Sequence, residues 1–288
     1  MISGAGRRYA AVFMSQVLAL TSAAFYGFAD FVGGTASRRL PVWKVTAWSQ
    51  LLGIATLAVG FALVPVERVT AADLLWGAAA GAVGIIGLAI LYSTLAAGTM
   101  TIVAPVSGMT AAAIPVFADL ISGTTMSARQ WVGIGLALAA VLLVGFDRTA
   151  RSADLRLVGR AMAAGAAFGF FFIMFAQTSA ESGLWPLVAA RGATIPIGFL
   201  VAGLTGVAAA PARRDIGLLA FLGNLDMAAN VAVALALQRG PLGVNAVLSS
   251  LYPAFTAVTA IVVHHERPDI QQSVGVLFAL GAIIALVV

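Results

Sequence analysis

Apolar residues run through this chain in stretches about twenty long, broken by short polar turns that hold most of the charge. A run of roughly 18 or more apolar residues reads as a helix crossing the hydrocarbon of a bilayer. Ten stretches fit: residues 12–32, 45–64, 74–97, 101–121, 131–146, 157–176, 184–204 and 216–237, a ninth carrying Asn245 through Tyr252, and a tenth after Arg267. The expected fold is all-α, a polytopic membrane protein of ten transmembrane helices. Trp43, Trp76, Trp131 and Trp185 stand at the edges of these stretches, as an interfacial aromatic belt requires. Arg7 and Arg8 open the first stretch in the manner of a signal peptide. That stretch runs past Ala24 without a cleavage box, so it reads as the first span.

The polar positions inside the stretches are few and patterned. Ser22, Tyr26, Asp30 and Gly33 follow at spacings of four, four and three, so they share a helix face. A carboxylate at the bilayer centre costs on the order of 3 kcal/mol, which turns this face toward the bundle interior. The alternative places Asp30 near the interface, capping the helix close to Arg38 and Arg39. In the third stretch Gly77, Gly81 and Gly84 form a small-residue stripe suited to close backbone approach, and Tyr92 follows toward its far end. The fourth holds Ser107 and Thr110 between Pro105 and Pro115. The ninth holds Asn245, Ser249 and Tyr252 just before Pro253. Proline within a span is tolerated where protein or a wet cavity satisfies the freed carbonyls. Arg191 lies inside the seventh stretch, and Asp226 lies near the middle of the eighth on one face with Gly223 and Asn230.

The second half repeats the first. A step of 142 residues takes Ala78, Gly81, Leu95, Ala104, Ser107 and Gly133 to Ala220, Gly223, Leu237, Ala246, Ser249 and Gly275. Near the start the step is 143, so Phe25 and Phe28 meet Phe168 and Phe171, while Asp30 meets Ile173. The unit is half the protein, too long for a solenoid module. It divides the chain into repeats at 1–146 and 157–288 around a charged linker, 147–156, reading DRTARSADLR. Five spans is an odd number, so the second repeat enters the membrane upside down. Such inverted repeats are the usual basis of alternating access, with the binding site near the midplane between the halves.

Composition places the chain outside the soluble class: 61% hydrophobic and 9% charged, with no cysteine, and a mean hydropathy of +1.02. The formal net charge is +5, and the basic residues are Arg except for Lys44. They sit mainly in turns, where headgroups and insertion explain them, and no basic face alternates with aromatics as a nucleic-acid groove needs. Adjacent side chains at His264, His265 and Glu266 point apart and no third cluster joins them, so no metal is expected. No phosphate-cradling loop, paired His and acid, or Ser with His at depth points to an ATPase or a membrane enzyme.

The opening SAAFYGFADFVGGTASRR, then Leu251, Tyr252, Pro253, His265, Glu266, Arg267, Gln272 and Gly275, resemble motifs of the drug/metabolite transporter superfamily, in its ten-helix EamA type. The resemblance implies export or exchange of a small metabolite; a prokaryotic cytoplasmic membrane is the expected location, and no cofactor is expected. In place of the family's first glutamate-arginine segment stand Gly123, Thr124 and Thr125, and Glu266 reads as a turn residue. The family usually has both termini in the cytoplasm. Counting turns, Arg7, Arg8, Arg68, Arg129 and Arg239 lie on the side of the termini, against twice as many basic residues opposite, so the positive-inside rule puts both termini outside.

The expected substrate site is drawn from Tyr26, Asp30, Tyr92, Ser107, Thr110, Asn230, Asn245, Ser249 and Tyr252, with Arg191 and Asp226 as an intramembrane charge pair or coupling group. Three roles are open to Asp226: partner of Arg191, substrate contact, and carrier of a coupling proton. The prolines favour a wet cavity over plain helix-to-helix bonding for the stripes of the fourth and ninth spans. Phe168, Phe170 and Phe171 read as packing. Few charges favour a neutral, zwitterionic or partly aromatic solute, such as an amino acid or an amphipathic compound, over a polyanion. A passive channel or a non-transporting scaffold is the alternative.

Overall fold

The computed structural model describes residues 4–97, 100–145, 155–207, 210–264 and 270–287. Apart from one 3₁₀ turn at Ala180–Ser182, the regular structure among these residues is α-helix. The helices are α1 (Gly4–Ser37), α2 (Val42–Leu52), α3 (Ile54–Leu63), α4 (Ala71–Ala97), α5 (Met100–Ile121) and α6 (Ala128–Gly145). They continue with α7 (Leu155–Ala176), α8 (Trp185–Leu204), α9 (Arg213–Arg239), α10 (Leu242–Ser249), α11 (Tyr252–His264) and α12 (Ile270–Val287). The linker's residues 147–154, and with them His265, Glu266 and Arg267, lie outside the described residues.

Among the described residues, eight helical segments are long and apolar enough to cross a bilayer, counting α2 and α3 as one, and a shorter apolar helix covers Ala128–Leu143. Two of the ten expected spans are broken into shorter helices. The second stretch turns at Gly53, and the ninth breaks at Ser250 and Leu251 into two short helices. The prolines act differently from one another. Pro105 and Pro115 both lie inside α5, which runs on as one helix. Pro253 occupies the second position of α11, where a helix needs no N–H, so it starts a new helix rather than bending an old one.

The two repeats interlock. The most extensive packing pairs all join a helix of one repeat to a helix of the other, and they interchange when the repeats are swapped. Helix α1 lies on α9 as α7 lies on α4, and α4 lies on α8 as α9 lies on α2 and α3. Equivalent helices also meet each other, α6 with α12, α5 with α10 and α2 with α8. Of these, α6 and α12 run antiparallel: Gly133 sits against Leu286, Gly281 against Leu136, and Gln271 Nε2 donates to the Leu143 carbonyl at 3.3 Å.

Glycine makes the approaches close. A Cβ on Gly77 would fall on the Pro186 backbone, and one on Gly81 on the Ala190 backbone, so α8 lies directly on the stripe of α4. The equivalent crossing joins Gly223 to Gly53 and the Ser49 carbonyl. The start of α4 is fixed by a capping box in which Thr70 N and Oγ1 donate to Asp73 Oδ2 (2.9 and 2.6 Å). The other Asp73 oxygen accepts from Ser179 N at 2.7 Å, tying the first repeat to the turn before α8. Outside this interlocked core, large apolar side chains such as Leu75, Ile121 and Leu204 stand exposed, as lipid contact requires.

Candidate functional site

The interlocking leaves one substantial cavity among the described residues, between the repeats. Its volume is about 60 Å³. That is room for several waters or part of a small solute. Its wall takes Tyr26 and Asp30 from α1, Gln50 from α2, and Gly81, Gly84, Ile85 and Leu88 from α4. The second repeat adds Phe168, Phe171 and Phe172 from α7, Arg191 and Thr194 from α8, Asp226 and Asn230 from α9, and Tyr252 from α11.

The face of α1 explains the first contribution. Ser22 Oγ donates to Ser249 Oγ at 2.9 Å, and Gly33 lies against the Tyr92 ring, so both ends of the face look into the protein. Tyr26 and Asp30, between them, reach the cavity. Asp30 is 5% exposed and has no hydrogen bond or ion pair among the described residues, so it does not cap beside Arg38 and Arg39.

Asp226 lies thirteen residues from either end of α9 (213 to 226, 226 to 239), about 20 Å by helical rise. Its Oδ2 accepts from Arg191 Nη2 and from Gln50 Nε2, each at 3.1 Å. Asn230 Nδ2 donates to the Asp226 backbone carbonyl at 2.7 Å. The first repeat thus reaches across to complete a buried network in the second. Gly84 stands where a step of 142 would put the equivalent of Asp226, and the Phe171 ring lies over it, so the network has no mirror image. Buried beside it, Gln50 Oε1, Arg191 Nε and Thr194 Oγ1 have no partner among the described residues.

Of the expected site residues, Tyr26, Asp30, Arg191, Asp226, Asn230 and Tyr252 come together at this cavity. Tyr92, Ser107, Thr110, Asn245 and Ser249 are not in its wall. Tyr92 is 1% exposed and packs over Gly33. Ser107 Oγ accepts from Tyr252 OH at 2.9 Å, and Thr110 Oγ1 donates to the Val106 carbonyl at 2.8 Å. Asn245 Nδ2 donates to the Ala236 carbonyl at 2.8 Å and to Ser15 Oγ at 3.3 Å. The polar stripes of α5 and α10 therefore bond neighbouring backbone and side chains, because buried hydroxyls and amides seek partners wherever helices touch. Only Tyr252, past the break, presents its ring to the cavity.

Sequence reasoning passed over Gln50 and Thr194 as site residues. Gln50 follows Thr46 and Ser49 in α2, and Thr194 stands three residues after Arg191, on the same face. Phe168 and Phe171 line the cavity besides packing, whereas Phe170 faces outward.

Two interlocked helical repeats, an apolar exterior and a buried polar cavity where they meet define a polytopic membrane protein with an internal site. The chain belongs to the EamA-like transporter family, whose profile matches residues 13–146 and 157–288. A solved crystal structure of a protein is similar in fold, with a TM-score of 0.74 at 16% identity, covering 94% of this chain and 95% of its own. Among curated proteins, no sequence matches. The family is one of membrane transporters, so a small-molecule substrate and a lipid surround follow from membership.

Proposed function

We propose that the chain is a secondary carrier that binds a small organic metabolite in the cavity between its repeats and moves it by alternating access. The carrying observation is the position of that cavity: seven helices drawn from both repeats wall it, so any change in how the repeats fit together changes the site. The antiparallel run of α6 against α12 supports an inverted relation between the repeats, which gives inward-open and outward-open forms by symmetry. In this reading the segment α2–α3, the pair α10–α11 and the shorter α6 each cross once, making ten crossings. The charge count of the turns supports both termini lying outside a prokaryotic cytoplasmic membrane, and export or exchange is the direction we favour.

Counterflow in proteoliposomes tests it. Vesicles holding the purified chain and loaded with an unlabelled solute should take up the labelled solute faster than empty vesicles, with saturation. A panel of amino acids and amphipathic amines finds the solute. Asn230→Trp, which fills the cavity, should abolish the effect. Flux that neither saturates nor responds to internal solute would make the protein a channel, and no flux at all would make it a scaffold.

A further inference from the structure

The donors and acceptors of the cavity do not balance. Its charged donor, Arg191, uses Nη2 on Asp226, and its Nε is sealed away from the cavity space. The Gln50 amide nitrogen donates to the same carboxylate and the Asn230 amide nitrogen to its backbone carbonyl. Tyr252 OH donates to Ser107. What remains at the wall is the Asp30 carboxylate, with no donor among the described residues, the Gln50 Oε1 acceptor, the hydroxyls of Tyr26 and Thr194, and the second amino group of an Arg191 guanidinium already paired with Asp226. Two carboxylates, Asp30 and Asp226, share the cavity with one guanidinium, so the ionised site carries one uncompensated negative charge. The wall that holds Asp30 is also aromatic, with Tyr26 and Tyr252 from α1 and α11 and Phe168 and Phe171 from α7.

An unpaired carboxylate at membrane depth calls for a partner. A solute carboxylate would have to share the one guanidinium already paired with Asp226 and would add to the excess negative charge. An ammonium group would neutralise Asp30, and aromatic rings attract a cation through their quadrupoles as well as covering an apolar body.

We infer that the solute taken by this cavity is an organic monocation, an amine with an apolar or aromatic body, held with Asp30 as its counter-ion. This deepens the carrier reading and rests on it for the word transport, but binding alone can be measured without it.

The probes are four compounds of one shape and different charge: phenethylamine, phenethyl alcohol, phenylalanine and 3-phenylpropionate. Binding to the purified full chain in detergent is read by calorimetry. Phenethylamine should bind at least about tenfold more tightly than each of the others, a gap that one charged hydrogen bond accounts for. Asp30→Asn should remove that preference, Asp30→Glu should keep it, and Phe168→Leu should weaken the amine selectively. Gel filtration and the melting temperature establish that each variant is folded. The inference falls if phenylalanine or phenylpropionate binds as tightly as the amine, if Asp30→Asn leaves the preference intact, or if no probe binds. Counterflow of phenylalanine without amine binding would leave the carrier and remove the cation. Amine binding without counterflow of any solute would do the reverse.

Discussion

Arg191 and Asp226 hold each other in a setting where neither can be left alone. Both side chains are under a tenth exposed, so removing one strands a buried charge. Arg191→Met should cost about 3–5 kcal/mol of stability, and the double variant Arg191→Met with Asp226→Leu should recover most of it. Thermal unfolding of the three forms in one detergent checks this; a double variant no better than the single would show that the pair does more than neutralise itself. Gln50→Leu removes one charge-assisted bond and should cost about 2 kcal/mol, more than a neutral contact would. At this scale legibility followed energy. Charges at membrane depth are so costly that Asp30, Arg191 and Asp226 stood out from the sequence. Gln50 did not, because one amide in a helix has many neutral explanations.

Helices here meet where a side chain is missing. Gly223 lies on the Ser49 carbonyl, so Gly223→Val should force α9 off α2, lowering the melting temperature and weakening whatever the cavity binds. Gly217, in the same helix, has open space around its Cβ position, and Gly217→Ala should be neutral or stabilise by up to about 1 kcal/mol. Equal effects from the two would mean that helix propensity, and not close approach, sets the result. The stripe Gly77, Gly81 and Gly84 was legible because three glycines at helical spacing have few other uses. The breaks were not. Pro105 and Pro115 sit within a continuous α5, while Pro253 stands just after a break at Ser250 and Leu251, since a proline's effect depends on whether neighbours hold the preceding turn.

Across the whole molecule, the chain's lack of cysteine makes its geometry testable by added pairs. Gly133→Cys with Leu286→Cys should cross-link under mild oxidation, because those positions touch where α6 passes α12. Gly133→Cys with Gly275→Cys should not, since Gly275 lies eleven residues along α12 from Leu286, about 16 Å away. The opposite result would make the equivalent helices parallel and remove the inverted relation on which alternating access depends. By itself the sequence determined the membrane environment, the duplication and the buried ionisable groups, because each is recorded in residue type and periodicity along one helix. Which groups share a cavity was decided by the tertiary structure alone. Tyr26, Asp30 and Gln50 from one repeat meet Phe168, Arg191, Asp226 and Tyr252 from the other through the packing of the two repeats, and no single helix carries a record of that packing.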